Sequence, residues 1–232
     1  MKNILKDRPK KRLYGRTLFT TKFVEDADIK RRTCLDIGCG WGWFELNALK
    51  RNVRKIVGVD ILENNVAVAS ENIPDKRAEF KVGSATKLPF KDAQFNTVVS
   101  WEVTEHIPKN QESIMFKEIS RVLADDGVFY MSTPNNSFWC NVLDPAWWLI
   151  GHRHYSKKNL LKFAKKNKLV AEKLIFNGGW WELIGMNNLY VAKWIFRRKP
   201  FFENFFNRKQ TEEFEKEKGF TNIFVKFRRK KR

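Results

Sequence analysis

The stretch Thr33-Cys34-Leu35-Asp36-Ile37-Gly38-Cys39-Gly40-Trp41-Gly42 limits what this chain can fold into. A short apolar run ends in an acid and then in three glycines at alternate positions. That order predicts a buried strand, a tight turn and the start of a helix. Glycine is needed where the backbone turns with positive φ, or where it meets a ligand with no Cβ between them. A second apolar run, Lys55-Ile56-Val57-Gly58-Val59, ends in Asp60. A carboxylate at that point can accept both hydroxyls of a ribose.

A dinucleotide-binding βαβ unit gives a similar outline. Its fingerprint is G-x-G-x-x-G/A, with a small last residue that lets helix and strand pack closely. Here that last position is Trp43, and the third glycine comes one residue early at Gly42. Asp36, ahead of the first glycine, would repel a pyrophosphate and suits a ligand carrying an ammonium and a sulfonium. The electrostatics favours a cationic nucleoside. The run from Asp36 to Gly42, followed by Val59-Asp60, resembles the class I S-adenosylmethionine-dependent methyltransferases, in particular the type 11 and quinone-biosynthesis-like small-molecule enzymes. The resemblance covers roughly residues 30–176. It implies a Rossmann-like α/β fold with a seven-stranded, mostly parallel sheet and an antiparallel last strand. It also implies S-adenosyl-L-methionine as cofactor and methyl transfer as the reaction.

A chain of 232 residues fits one α/β domain with additions. Its 45 basic and 26 acidic residues leave a net charge of +19, which points to an anionic partner. Cys34, Cys39 and Cys140 form no C-x-x-C motif and no even framework, so a reducing compartment is expected. The charged N-terminus lacks a signal-length apolar core, and no run of about 18 apolar residues predicts a spanning helix. Together these give a cytoplasmic expectation, with peripheral attachment to a membrane.

Along the chain, 1–30 reads as a basic segment and one helix over 14–30, with Tyr14 placed to close the cofactor pocket. The core at 31–177 alternates strands and helices. Strands are expected at 33–38, 55–60, 79–82, 96–100, 128–132 and 169–176. A helix from Gly42 should bury Phe44, Leu46 and Leu49, and a helix over 63–72 should turn Val66, Ala67 and Ala69 inward. Asn110 is an expected N-cap and Asp126-Gly127 an expected turn, while Ser156 caps a later helix. The insertion at 178–218 is rich in aromatic and basic residues, and 219–232 forms a last strand and basic tail.

The resemblance assigns cofactor contacts to Asp36, Gly38, Gly40 and Asp60, with Ile61, Ser84 and Ala85 around the adenine. Ser84 stands where the family usually carries Asp, so its hydroxyl and the Ala85 backbone are left to bond the base. Trp101 ends strand four and joins the cofactor set; with Trp41 and Phe90 it is also a candidate for a cation–π contact with a sulfonium. The acceptor's proton calls for a general base. All three histidines lie on loops that border the acceptor pocket in this fold. His154, in Gly151-His152-Arg153-His154-Tyr155, is the first candidate; His106, in Glu102-Val103-Thr104-Glu105-His106, is the second, with Glu105 beside it. Glu102, Glu105 and His106 also resemble the metal pattern of small-RNA 3′-end and quinone-biosynthesis O-methyltransferases. Similar residues occur in family members without a metal, and no metal is assigned.

Six of nine tryptophans lie between positions 139 and 194, and Arg197-Arg198-Lys199 follows them. Aromatics beside a basic cluster suit a helix in a headgroup layer, a cap over the acceptor pocket, or a phosphate backbone. The expected activity is methyl transfer to a small or lipid-like acceptor, at oxygen, with an anionic membrane surface as partner. An RNA methyltransferase and a non-catalytic cofactor-binding module remain as alternatives.

Overall fold

The computed structural model describes residues 12–230. The rest of the basic N-terminal segment and the end of the basic tail lie outside the described residues. Among those described, seven strands form one sheet in the order β3-β2-β1-β4-β5-β7-β6. They are β1 (Thr33–Ile37), β2 (Lys55–Asp60), β3 (Ala78–Val82), β4 (Phe95–Trp101), β5 (Leu123–Pro134), β6 (Leu169–Asn177) and β7 (Asn222–Arg229). Strands β3, β2, β1, β4 and β5 run parallel, and β7 runs antiparallel to both β5 and β6. The expected architecture is therefore present. The order reverses between β1 and β4, and ligands in such sheets bind beyond the carboxyl ends of strands at that reversal.

Both faces of the sheet are covered, as the near-continuous apolar runs require. Residues of alternate parity feed two cores. Leu35, Val98, Phe129 and Val225 pack against α4 (Glu112–Val122) and α7 (Lys157–Lys166). Cys34, Val99, Tyr130 and Phe224 pack against α1 (Gly15–Phe23), α2 (Trp43–Lys50) and the end of α9 (Glu203–Phe214). The helix α3 (Glu63–Asn72) flanks β2 and β3.

Several local expectations are corrected. The helix over 14–30 stops at Phe23, and a short 3-10 turn follows at Asp26–Asp28. The Arg51 guanidinium takes the carbonyls of Thr21 and Val24 (3.0 and 2.6 Å), which closes the first helix early. Asn110 adopts a left-handed turn and caps nothing; Gln111 precedes α4 without a side-chain cap. Asp126-Gly127 does not interrupt the strand, because β5 continues through it with a register shift against β4. Ala67 is exposed, Leu46 and Leu49 are half-buried, and the acid Glu45 is fully buried instead. Ser156 does cap α7, accepting from Asn159 N (3.2 Å).

The segment 138–150 forms two short helices, α5 (Phe138–Leu143) and α6 (Pro145–Ile150). The insertion forms α8 (Trp180–Tyr190), a π-helical turn over Val191–Ile195, and α9. No residue of α8 caps its own N-terminus. Glu213 of α9 does so, accepting from Gly179, Trp181 and Glu182 backbone N–H groups at 2.8–2.9 Å. A carboxylate there satisfies donors that a helix leaves open and opposes the helix dipole.

Candidate active site

Three glycines make the turn after β1, and each has positive φ: +76° at Gly38, +53° at Gly40 and +86° at Gly42. A Cβ on Gly38 would run into Val103, whereas one on Gly40 would meet nothing within 4 Å. That open space is where a ligand can approach the backbone. Asp60 ties the turn to β2. One carboxylate oxygen accepts from Gly40 N and the other from Leu62 N, each at 2.9 Å. Trp41 donates its indole N–H to Asn65 (3.1 Å), which pins the turn to α3.

Beneath the turn lies an acid cluster only partly visible in the sequence. Asp36 is buried with one oxygen unpartnered, and Glu45 of α2 is buried with neither oxygen in a conventional bond. Burial comes first among the causes that lift Asp36 well above the carboxylate range; the charges of Glu45 and Asp60 follow. Burial likewise pushes Glu45 up to about 8. Gly58 makes room for Glu45, since a Cβ there would stand 2.6 Å from its carboxylate. A cation placed against Asp36 reverses the balance and favours the ionised form.

The adenine set is mixed. Ile61 is 69% exposed at the tip of β2, as an apolar wall awaiting a ring requires. Ser84 instead bonds Thr86 Oγ1 (2.9 Å) and accepts from Thr86 N (3.2 Å), so its hydroxyl is spent on its own turn. Ala85 is buried beside it. Trp101 packs into the core against Phe44 (centroids 5.7 Å apart), with its indole N–H buried and unpartnered. Open space at Gly40, an orphaned acid oxygen at Asp36 and an exposed apolar wall at Ile61 fit an adenosyl ligand bearing positive charge.

The tips of β4 and β5 carry the polar network. Glu102, at φ +54°, accepts from Arg16 (2.8 Å), Ser132 (2.5 Å) and Asn222 (3.1 Å). Glu105 is buried, accepts from Thr133 (3.0 Å), and has one oxygen without a partner. Burial, then the Glu102 charge, lifts it well above the carboxylate range. No group of His, Cys, Asp and Glu among the described residues is placed to hold a metal ion.

The histidine loop runs as an extended ribbon beside the end of β5, with a bridge between Asn135 and Tyr155. Its side chains alternate. Arg153 binds the backbone oxygens of Thr104, Glu105 and Ile107 and pairs with Glu112, while Tyr155 donates to Glu112 (2.9 Å). These contacts fix the loop after β4; nothing in the spacing of the sequence points to them. His154 is not free to act as the base expected of it. Its Nδ1 is 2.7 Å from Asn141 and its Nε2 is 2.8 Å from Asp144, and the side chain has no exposed surface. It staples α5 and α6 to the loop. His106 is exposed, with its ring edge-on to His152 at 4.3 Å. Burial lowers the pKa of His106 below 6.5, and burial and His106 together lower His152 to about 4. Both are neutral at pH 7, and His152 Nε2 is buried without a partner.

Arg16 joins this network to the cap. It lies 3.6 Å from Glu182 and lines a cavity of about 250 Å³ with Tyr14, Glu182, Met186, Leu189 and Phe206. Tyr14 thus faces a chamber between α1, α8 and α9.

Comparison with known proteins agrees with this geometry. Residues 35–131 match the methyltransferase domain family. A probable S-adenosylmethionine-dependent methyltransferase of Mycolicibacterium smegmatis is 34% identical over 104 residues, 45% of this chain and 38% of the relative. A probable chloroplastic tocopherol O-methyltransferase of rice is 28% identical over 134 residues, 56% of this chain and 35% of the relative. The chain thus spans less than half the length of these relatives. The crystal structure of a putative sarcosine dimethylglycine methyltransferase from Galdieria sulphuraria superposes with a TM-score of 0.67. It is 17% identical and covers 92% of this chain and 84% of that one, a likeness of fold. Strand order, the glycine turn sealed by Asp60 and the family match agree: residues 35–131 are similar to the methyltransferase domain of S-adenosylmethionine-dependent enzymes.

Proposed function

We propose that the protein transfers a methyl group from S-adenosyl-L-methionine to an oxygen of a small, lipid-like acceptor, and that it works as a peripheral protein at the cytoplasmic face of a membrane. The observation that carries the reading is the pairing of an open glycine turn, braced by Asp60, with a chamber of mixed lining between α1, α8 and α9, whose Arg16 reaches Glu102 just past the end of β4. The rice relative, whose name gives tocopherol as acceptor and oxygen as the atom, supports the acceptor class.

The cofactor supplies an electrophilic methyl group on a cationic sulfur. Gly38 and Gly40 would let it approach the backbone. Asp60 would meet the ribose, Asp36 the cationic end, and Ile61 and the Ala85 backbone the base. Alignment of acceptor and methyl carries much of the rate, since fixed geometry can supply roughly 7–11 kcal/mol. Arg16, paired with Glu102 behind it, and Glu182 form a polar side of the acceptor chamber, while Met186, Leu189 and Phe206 form its apolar side. His106, neutral at pH 7, takes the hydroxyl proton, with His152 edge-on behind it as a positioning residue. Glu105, buried beside Glu102, stands behind His106 with its carboxyl raised above the usual carboxylate range.

Labelled methyl transferred into fractionated cell extract tests the reading. Label in an apolar, lipid-extractable ether or ester fraction is the expected result. Label in RNA would favour an RNA methyltransferase. Cofactor binding with no label in any fraction would favour a non-catalytic module.

A further inference from the structure

The cap exposes apolar residues that its own packing leaves uncovered. Trp148 and Ile195 are 68% and 70% exposed, and Leu149 and Phe196 are both more than half exposed. Ile184 of α8 is exposed, as are Val191 and Ile195 in the π-helical turn that continues it. The α6 helix packs against α8, and Asn187 of α8 bonds the carbonyl of Leu143 (3.0 Å) just ahead of α6. Arg197, Arg198 and Lys199 follow at the surface, with Arg198 held 4.5 Å over the Phe201 ring. Leu189, also exposed on α8, lines the acceptor chamber, as does Pro200 directly after the basic run.

We propose that this face, formed by α6, the exposed side of α8 and the π-helical turn with the basic run after it, 191–199, docks on an anionic bilayer surface. Exposed clusters of this kind mark interaction sites. Tryptophan and phenylalanine suit the layer between headgroups and acyl chains, and adjacent cations suit anionic headgroups. A second copy of the chain would set +19 against +19. A nucleic acid would satisfy the cations but leave Leu149 and Ile195 against water. No helix among the described residues is long and apolar enough to cross a membrane, so the contact is one of lying on the surface. Delivery of an acceptor through the Leu189–Pro200 rim rests on the lipid-like reading above. The docking itself rests on the surface.

The test is co-sedimentation of the full chain with vesicles of phosphatidylcholine alone or mixed with phosphatidylglycerol, at low and high salt. Binding is expected to the anionic mixture, weakening with salt. The apolar variant Trp148→Ser, Ile195→Ser, Phe196→Ser should lose about tenfold in affinity or more. The charge variant Arg197→Glu, Arg198→Glu, Lys199→Glu should lose about as much and much of its salt response. An unchanged melting temperature and unchanged affinity for S-adenosylhomocysteine keep a folding failure apart from a docking failure. Three results would overturn the proposal: no binding to anionic vesicles, binding that both variants retain in full, or single-stranded RNA bound through the basic run by a protein that ignores vesicles. Vesicle binding lost in the variants, with label reaching only water-soluble acceptors, keeps the docking surface and removes the acceptor reading.

Discussion

At the tips of β1 and β2 the site is made by backbone, between Asp36 and Leu62; at the tips of β4 and β5 it is made by side chains from Arg16 to Asn222. The first needs glycines at fixed positions and one acid that bonds two amides. The second needs an arginine from the N-terminal helix, two acids from separate elements and an amide from the last strand. Chemistry shared by every member of a fold can be built locally and left alone. A pocket that must fit one acceptor is assembled across distant elements, where it can change piecemeal.

That contrast can be broken by mutation. The largest expected effect is on the local half. Asp60→Ala removes the acceptor for two backbone N–H groups that shape the turn, along with the expected ribose contact. Hydrogen bonds to charged groups are worth about 1.5–3 kcal/mol each. Calorimetry with S-adenosylhomocysteine should show affinity falling by about a hundredfold or more. Retained affinity would dissolve the distinction.

His106→Ala comes next and should separate the halves. Transfer should fall by about 10²–10³-fold, within the range for a lost general base. Affinity for S-adenosylhomocysteine should stay within about twofold. Because the folded site lowers the His106 pKa below 6.5, wild-type transfer should persist as pH falls through 6.5 and drop only on the acid side. A fall beginning above 6.5 would assign the base elsewhere.

His154→Ala should act on stability. It leaves Asp144 and Asn141 facing a hole, and a buried polar group without its partner costs about 1–3 kcal/mol. The melting temperature should fall by several degrees, with the loss of transfer tracking the unfolded fraction. An unchanged melting temperature with lost transfer would return His154 to the chemistry.

The smallest effect concerns Glu45. Its carboxyl keeps a proton up to about pH 8 when folded and loses it near 4.5 when unfolded. The folded state therefore binds more protons across that window. This contribution is fully present below about 4.5 and is lost as pH rises through about 8. Denaturant titrations should show stability declining across the window, and Glu45→Gln should flatten the decline. An identical slope in the variant would place the proton elsewhere.

The same contrast explains what could be read from the sequence. Asp36, the glycines and Asp60 were legible because each is a local requirement of a strand–turn–helix unit. The reversed last strand followed from the resemblance. Glu45 was missed because an acid on a helix reads as a solvated face; only Gly58 in the neighbouring strand hints at the room it needs. His154 was misplaced because its partners, Asn141 in α5 and Asp144 at the junction of α5 and α6, belong to helices too short to announce themselves. Arg16 gave no signal, since its partners at Glu102 and Glu182 meet it only through the fold.

The central claim is that the turn after β1 and the acid ending β2 form the seat of a charged adenosyl cofactor. Titration of S-adenosylhomocysteine into the wild-type chain, Asp60→Ala and His106→Ala by calorimetry tests it most directly. Binding at one site per chain, lost in Asp60→Ala and kept in His106→Ala, is the predicted result. No heat of binding from wild-type protein with an intact far-ultraviolet dichroism spectrum would contradict it.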